Sequence, residues 1–166
     1  MLRVIFDTNI YGELVEEPNL TIYEEKLKSK YIIYNFFPIR KELRKISVSS
    51  IRGRKTRIAV LELLDRLSKN HEIEHSEKIE KISKKYYQVY VNKGGITPWR
   101  FIKIGFEIIA CASIHNLDVV FSNDRKTMFS LKAIKSYEEI NNNFQLKTPK
   151  LLIYEDLMNQ IKTHFS

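Results

Sequence analysis

The sequence alternates short apolar runs with longer stretches of helical periodicity, and this alternation constrains the fold most strongly. Apolar or β-branched runs, which are typical of strands, occupy residues 2–6, 31–35, 118–122 and 150–154. Strands that alternate with helices usually form a parallel sheet with helices packed on both faces. We therefore predict an α/β fold with a mainly parallel central sheet.

The segments between these runs carry signals for helix ends. Pro38 suits the first turn of a helix, Ser76 is a predicted N-cap, and Gly94 and Gly95 would stop the helix that follows Ser76. The predicted helices cover residues 21–30, 38–46, 76–93, 98–116, 132–143 and 155–164, with another around Ile58, Leu61, Leu64 and Leu67. The helix at 98–116 is apolar on nearly all sides, which predicts that it is buried.

Length and composition favour one domain in a reducing compartment. The chain has 166 residues, with no repeat, low-complexity tract or linker, so we predict a single domain over residues 1–166. The N-terminal MLRVIFDTN lacks the features of a signal peptide, and no apolar run is long enough to span a membrane. A single cysteine, Cys111, excludes an internal disulfide and a cysteine-built zinc site. We expect a cytoplasmic protein.

The chain is strongly basic. It carries 28 Lys and Arg against 20 Asp and Glu, a formal net charge of +8. Such an excess favours a polyanionic partner, and nucleic acid is the first candidate.

Three acidic residues follow predicted strands. Asp7 comes directly after the first strand, Asp124 after a later one, and Glu42 lies on the helix that follows the second. Each has a simpler explanation: Asp7 as a helix cap, Glu42 as a partner of a lysine, Asp124 as a turn residue. The carboxyl ends of parallel strands meet at one sheet edge, however, and clustered carboxylates repel unless a divalent cation joins them.

Four segments together carry a family resemblance. They are VIFDTN at 4–9, PIRKEL at 38–43, GFEIIACA at 105–112 and VVFSND at 119–124. In this order and spacing they resemble the PIN-domain family, the small metal-dependent nucleases that include VapC-type toxins. The resemblance covers a core at about residues 2–128, followed by a C-terminal helix–strand–helix at 130–166.

The resemblance has definite implications. It implies a three-layer α/β/α sandwich and an endoribonuclease that hydrolyses RNA phosphodiester bonds with Mg²⁺ or Mn²⁺. Asp7, Glu42 and Asp124 would be the catalytic metal ligands, and Thr8, Asn9 and Asn123 would support them. It also implies a homodimer and, for a toxin of a type II toxin–antitoxin pair, a small cognate antitoxin.

The sequence departs from the family pattern at Gly105. The family's third acid opens the buried helix in the pattern Asp-x-x-Ile-x-Ala-x-Ala, and alignment on Ile108 and the alanines places Gly105 there. Glu107 is a weaker candidate for this acid, because two residues rotate a helical side chain by about 200°. We expect Glu107 on the surface, in an ion pair with Lys103. The alternative function is a weakened or inactive PIN-like domain that binds RNA or protein.

Residues 40–57 carry eight basic side chains and a single acid, Glu42. We predict that Glu42 faces the protein, whereas Arg40, Lys41, Arg44 and Lys45 take the opposite face. Gly53 and the serines near it predict a mobile loop. The residues predicted to hold RNA are Arg40, Arg44, Arg52, Arg54, Lys55 and Arg57. A solvated basic surface without a ligand is the alternative.

Two other patterns have competing interpretations. Tyr86, Tyr87 and Tyr90 could stack on bases, although their helical spacing is more typical of a core or dimer contact. Residues 71–75, HEIEH, match the His-Glu-x-x-His pattern of zinc proteases. Their polar flanks, and the helix that begins only at Ser76, predict an extended segment instead and argue against a zinc protease.

Overall fold

The computed structural model describes residues 1–162 and has the predicted α/β architecture. Within these residues, five strands form one all-parallel sheet in the order β3-β2-β1-β4-β5. The strands are β1 (Leu2–Phe6), β2 (Tyr31–Phe36), β3 (Glu72–Ile73), β4 (Val119–Phe121) and β5 (Lys150–Leu152). The arrangement is consistent with a three-layer α/β/α sandwich.

Eight helices are described around this sheet. They are α1 (Thr8–Val15), α2 (Leu20–Lys30), α3 (Phe37–Leu43), α4 (Ile51–Leu67), α5 (Glu77–Asn92), α6 (Trp99–Ile114), α7 (Leu131–Asn143) and α8 (Tyr154–Lys162). The last predicted helix extended to His164, and residues 163–166 lie outside the described part of the chain. No helix within residues 1–162 is long and apolar enough to cross a bilayer.

Strand β1 occupies the centre of the sheet, between β2 and β4. Val4 pairs with Ile33 on one side and with Val119 on the other. Val4, Ile5 and Phe6 are all fully buried, because helices cover both faces of a parallel sheet. The residues that follow β1 therefore lie at the middle of the sheet's carboxyl edge.

Several predicted helix ends are confirmed. Ser76 caps α5, and its Oγ accepts a hydrogen bond from the Ile79 backbone N–H at 3.2 Å. Gly94, just beyond α5, has a φ of 91°, which glycine adopts without steric cost. Residues 71–75 are extended and include β3, so His71 and His75 do not share a helix face as a zinc protease requires.

The predicted mobile loop around Gly53 is wrong. Helix α4 begins at Ile51, and the Ser50 side chain caps it by accepting from the Gly53 N–H at 2.9 Å. A Cβ at Gly53 would lie 2.1 Å from the Ser47 carbonyl oxygen, so the glycine permits a close backbone approach rather than a flexible loop.

The predicted apolar stripe of α4 is only partly right. Its buried residues are Val60, Leu63, Leu64 and Leu67, whereas Ile58 is 57% exposed. Helix α3 also ends earlier than predicted, at Leu43 rather than at Ile46.

An aromatic cluster joins α5, α6 and α7. Two of its three tyrosines from α5 lie in the core. Tyr86 and Tyr90 are buried, and both contact the Phe106 ring edge-on. The Tyr86 hydroxyl donates to Asn141 Oδ1 at 2.6 Å. Tyr87 is half-buried and packs against Trp99. Tyr86 and Tyr90 are therefore closed to base stacking.

Candidate active site

The three acids lie at the carboxyl edge of the sheet. Asp7 follows β1, Glu42 lies on the helix after β2, and Asp124 lies just beyond β4, three strands that are neighbours. All three line one pocket of about 400 Å³, hereafter the acidic pocket. The other residues that line it are Thr8, Asn9, Arg100, Phe101, Ile104 and Gly105.

Asp7 lies deepest and is 7% exposed. It caps α1: its Oδ1 accepts a hydrogen bond from the Thr8 backbone N–H at 2.8 Å. Burial raises the pKa of the Asp7 carboxyl above its ordinary value, and the nearby charge of Asp124 raises it further. Hydrogen bonds from Ser122 and Thr8 act in the opposite direction. Asp7 is therefore the helix cap that the sequence predicted, and its carboxylate also lines the acidic pocket.

Glu42 is half-buried beside Asp7. Its pKa is raised, first by burial and then by the charge of Asp7, while Lys45 lowers it. The charge of Asp124 therefore disfavours the ionised form of Asp7, and the charge of Asp7 disfavours that of Glu42. This is the electrostatic situation that a bound cation relieves.

Asp124 is held by the turn that follows it. Its Oδ1 accepts from the Thr127 N–H at 3.1 Å and its Oδ2 from the Met128 N–H at 3.3 Å. The Thr127 hydroxyl also donates to Oδ2. The turn explanation given for Asp124 from the sequence is thus correct as a structural role.

Ser122 links two of the acids, a role that was not predicted from the sequence. The side chain is fully buried. Its Oγ donates to Asp7 Oδ2 at 2.7 Å and accepts from the Asp124 backbone N–H at 3.1 Å. The available signal was its place directly after β4, beside the end of β1 where Asp7 lies.

The residues predicted to support the acids take different roles. Asn9 Nδ2 lies 3.4 Å from Asp7 Oδ2 and 3.3 Å from Ser122 Oγ, and its Oδ1 accepts from the Asn123 N–H. The Thr8 hydroxyl lies 3.4 Å from Asp7 Oδ1. The Asn123 side chain instead points to α8, where its Oδ1 accepts from the Tyr154 N–H. Asn123 therefore anchors the C-terminal helix rather than supporting a carboxylate.

The chemistry of the acidic pocket suits a hard divalent cation. Carboxylate oxygens are the preferred ligands of Mg²⁺ and Mn²⁺. The pocket contains three carboxylates and a single cationic side chain, Arg100. In residues 1–162, no three His, Cys, Asp or Glu side chains are grouped closely enough, as they are placed, to hold one metal ion. An ion shared by the three acids would therefore require side-chain rearrangement.

Gly105 lines the acidic pocket, whereas Glu107 does not. A Cβ at Gly105 would lie 3.1 Å from Met128 Cγ and 3.2 Å from its sulfur. The position where the resembled family carries an acid thus lies in the same pocket as the three acids. The buried Met128 side chain packs against it.

The predicted surface position of Glu107 is wrong. Glu107 is only 2% exposed, and its Oε2 is hydrogen-bonded to His75 Nε2, not to Lys103. The prediction failed because α6 is buried on nearly all sides, so its local periodicity does not identify a solvent face. His75 comes from the segment between β3 and α5, which sequence spacing alone does not place beside α6.

A second pocket adjoins the first and is rich in cations. This basic pocket has a volume of about 550 Å³ and is lined by Phe37, Pro38, Lys41, Glu42, Lys45, His75, Arg100, Lys103, Ile104 and Glu107. It shares Glu42, Arg100 and Ile104 with the acidic pocket. Lys41 and Lys45 therefore lie on the same side as Glu42, contrary to the face assigned to them from the sequence.

The residues predicted to bind RNA lie elsewhere. Arg40 is paired with Asp65 and lies 3.8 Å from Glu72, so its guanidinium is already engaged by acids of α4 and β3. Arg44, Arg52, Arg54 and Lys55 are exposed, and Arg57 is half-exposed. Neither pocket is lined by any of these residues.

Comparison with known protein families and with curated proteins found no match to this chain.

Proposed function

We propose that this protein is a divalent-metal-dependent endoribonuclease of the PIN type. The observation that supports the proposal most is the convergence of Asp7, Glu42 and Asp124 in one pocket, after three neighbouring parallel strands. Hydrolysis of a phosphodiester needs charge stabilisation on the phosphoryl oxygens and an activated water. Three carboxylates are the oxygen ligands that would hold the required ion.

Asp7, Glu42 and Asp124 would bind Mg²⁺ or Mn²⁺, which supplies a water of lowered pKa and stabilises developing negative charge. The chain's own residues prepare the site. The Ser122 hydroxyl orients both acids: it donates to Asp7 Oδ2 and accepts from the Asp124 backbone N–H. The outer hydrogen bonds of a metal ligand fix its orientation and basicity, so Ser122 belongs to the proposed machinery.

The basic pocket would receive the strand next to the cleaved bond. Arg100 lines both pockets, and Lys41, Lys45 and Lys103 lie beyond it. Cations placed next to an acidic metal site attract the phosphate backbone while the carboxylates hold the ion. The net charge of +8 supports the same partner.

The test is cleavage of a single-stranded RNA with Mg²⁺, Mn²⁺ or EDTA. Asp7→Asn, Glu42→Gln and Asp124→Asn should each reduce metal-dependent cleavage at least about a hundredfold. Glu25→Gln, an exposed acid on α2, is the control for loss of one negative charge. Cleavage that survives EDTA, or that is unchanged in all three variants, would exclude the proposal.

Gly105 favours one alternative, an inactive or weakened PIN-like domain that binds RNA or protein. The Met128 side chain packs against Gly105, where the family pattern has an acid, and no three potential ligands within residues 1–162 form a compact group. This alternative predicts RNA binding without cleavage in any metal.

The toxin role, the cognate antitoxin and the homodimer are part of the proposal through the resemblance. A short antitoxin-like reading frame beside this gene, and a sedimentation measurement, would test them.

A further inference from the structure

The pair formed by His75 and Glu107 has no role in the proposed metal site. Glu107 is almost completely buried on α6, and its carboxylate is hydrogen-bonded to His75 Nε2. A buried carboxylate is costly unless it is paired, so this contact holds the imidazole in place. The His75 ring also stacks on Phe36, with centroids 6.2 Å apart and planes at 21°. The imidazole is therefore oriented from two sides on the wall of the basic pocket.

The cations of the basic pocket form no close ion pairs with the described residues. Lys41, Lys45, Arg100 and Lys103 form no ion pair with any residue in 1–162, whereas Arg40, one position from Lys41, is paired with Asp65. Only two carboxylates, Glu42 and Glu107, share the pocket with these four side chains. Unpaired cations that surround a cavity of this size favour an anionic group inside it.

We propose that the basic pocket is a phosphate-binding subsite, in which His75, held by Glu107, and the four unpaired cations take a phosphate group of the nucleic-acid strand. This proposal rests on the proposed function, because the pocket joins the acidic pocket through Glu42, Arg100 and Ile104. The phosphate would be a neighbour of the one that is cleaved. It is either an internal phosphodiester or a terminal phosphate, which carries more negative charge.

His75 has a donor left for this ligand. Its Nε2 is engaged by Glu107, and its Nδ1 has no hydrogen-bond partner among the described residues. A doubly protonated imidazole donates from both nitrogens, so Nδ1 can serve a phosphate oxygen while Nε2 donates to Glu107. In this arrangement Glu107 is a positioning residue and His75 is the group that touches the ligand.

The experiment measures binding without cleavage. A fluorescently labelled single-stranded oligoribonucleotide, with either a terminal phosphate or a terminal hydroxyl, is titrated with protein in EDTA. His75→Gln and Lys103→Gln should each weaken binding about tenfold, as expected for the loss of a charge-assisted contact. The matched controls are His71→Gln, in the same segment but outside the pocket, and Lys81→Gln, exposed on α5. Both should bind like the unaltered protein.

The two oligoribonucleotides distinguish the source of the phosphate. If the His75 and Lys103 substitutions weaken binding only of the oligoribonucleotide with a terminal phosphate, the pocket binds a strand end. If they weaken binding of both oligoribonucleotides equally, the pocket binds an internal phosphate. Inorganic phosphate should compete in either case. Binding that is equal in all variants, or no measurable binding, would overturn the subsite. Because EDTA removes metal, these results do not depend on cleavage: loss of cleavage in Asp7→Asn with no effect of His75→Gln would retain the nuclease and reject the subsite.

Discussion

Ser122 Oγ donates a hydrogen bond to Asp7 Oδ2 at 2.7 Å, across the boundary between strands β4 and β1. The same oxygen accepts from the Asp124 N–H, so one hydroxyl couples the positions of two acids that lie far apart in sequence. The geometry of the acidic pocket therefore depends on a residue that carries no charge.

Ser122→Ala should reduce cleavage by about 10- to 100-fold and lower the free energy of unfolding by about 1 kcal/mol. The hydroxyl's hydrogen bond lowers the pKa of Asp7, so its loss should raise that pKa further. Cleavage kinetics, denaturant unfolding and an NMR titration of the Asp7 carboxyl measure the three effects. Ser136→Ala is the control, because the buried Ser136 hydroxyl bonds only to its own helix. Equal effects of both substitutions would show that Ser122 acts only on packing.

Asp7→Asn should stabilise the metal-free protein at neutral pH. The folded-state pKa of Asp7 is raised above 3.8, so the folded state disfavours the ionised form. The resulting destabilisation is absent below about pH 3.8, grows as the pH rises through the raised pKa, and is complete above it. The gain in the free energy of unfolding from Asp7→Asn should therefore increase with pH over the same range. Denaturant unfolding in EDTA at several pH values measures it, and an advantage that does not change with pH would contradict this account.

Gly105→Asp should tighten binding of Mg²⁺ or Mn²⁺ and raise cleavage, because it adds an oxygen ligand to the acidic pocket. The new Cβ must displace the Met128 side chain by a few tenths of an ångström, since they would otherwise be 3.1–3.3 Å apart. Gly105→Ala carries the same crowding without the carboxylate and should change stability by less than about 1 kcal/mol. Calorimetric metal titration of both variants separates the two effects. Equal metal affinity in the Asp and Ala variants would remove Gly105 from the site.

Glu107→Gln should lower the free energy of unfolding by about 1–3 kcal/mol, because the buried hydrogen bond to His75 loses the negative charge of its carboxylate acceptor. Glu74→Gln, an exposed acid close to His75 in sequence, should stay within about 0.5 kcal/mol of the unaltered protein. Denaturant unfolding compares them. A Glu107→Gln protein as stable as Glu74→Gln would mean that the His75 contact contributes nothing.

Replacing Arg52, Arg54, Lys55 and Arg57 with Gln tests the basic start of α4. Each phosphate contact that is lost should make the slope of log K against log[salt] shallower by about 0.7 for single-stranded RNA. The helix itself should not weaken, because cations near a helix N-terminus oppose its dipole. The same measurement on Lys41, Lys45, Arg100 and Lys103 provides the comparison. A slope that changes only in the second set would place the RNA contacts in the basic pocket alone.

The sequence by itself determined the architecture and the sheet edge at which Asp7 and Asp124 lie. Runs such as Leu2–Phe6 are too short and too apolar for surface helices, and their alternation with amphipathic segments left a parallel sheet as the consistent solution. Parallel strands place their carboxyl ends at one edge, so Asp7 and Asp124 had to approach each other once β1 and β4 were neighbours. Local caps at Ser76 and Asp7 were also readable, because a cap depends on its own helix only.

Only the tertiary structure decided what each side chain contacts across elements. Glu107 pairs with His75 because α6 packs against the segment before α5, a choice that the nearly uniform apolar surface of α6 does not encode. Gly53, which the sequence suggested was a loop residue, lies in α4, and the Ser47 carbonyl oxygen comes within 2.1 Å of the place where a Cβ would be. Lys41 and Lys45 join Glu42 around a pocket whose other wall comes from α6. Helical and strand periodicity report the buried face of a single element, whereas contacts between distant side chains follow from how the packed elements are oriented.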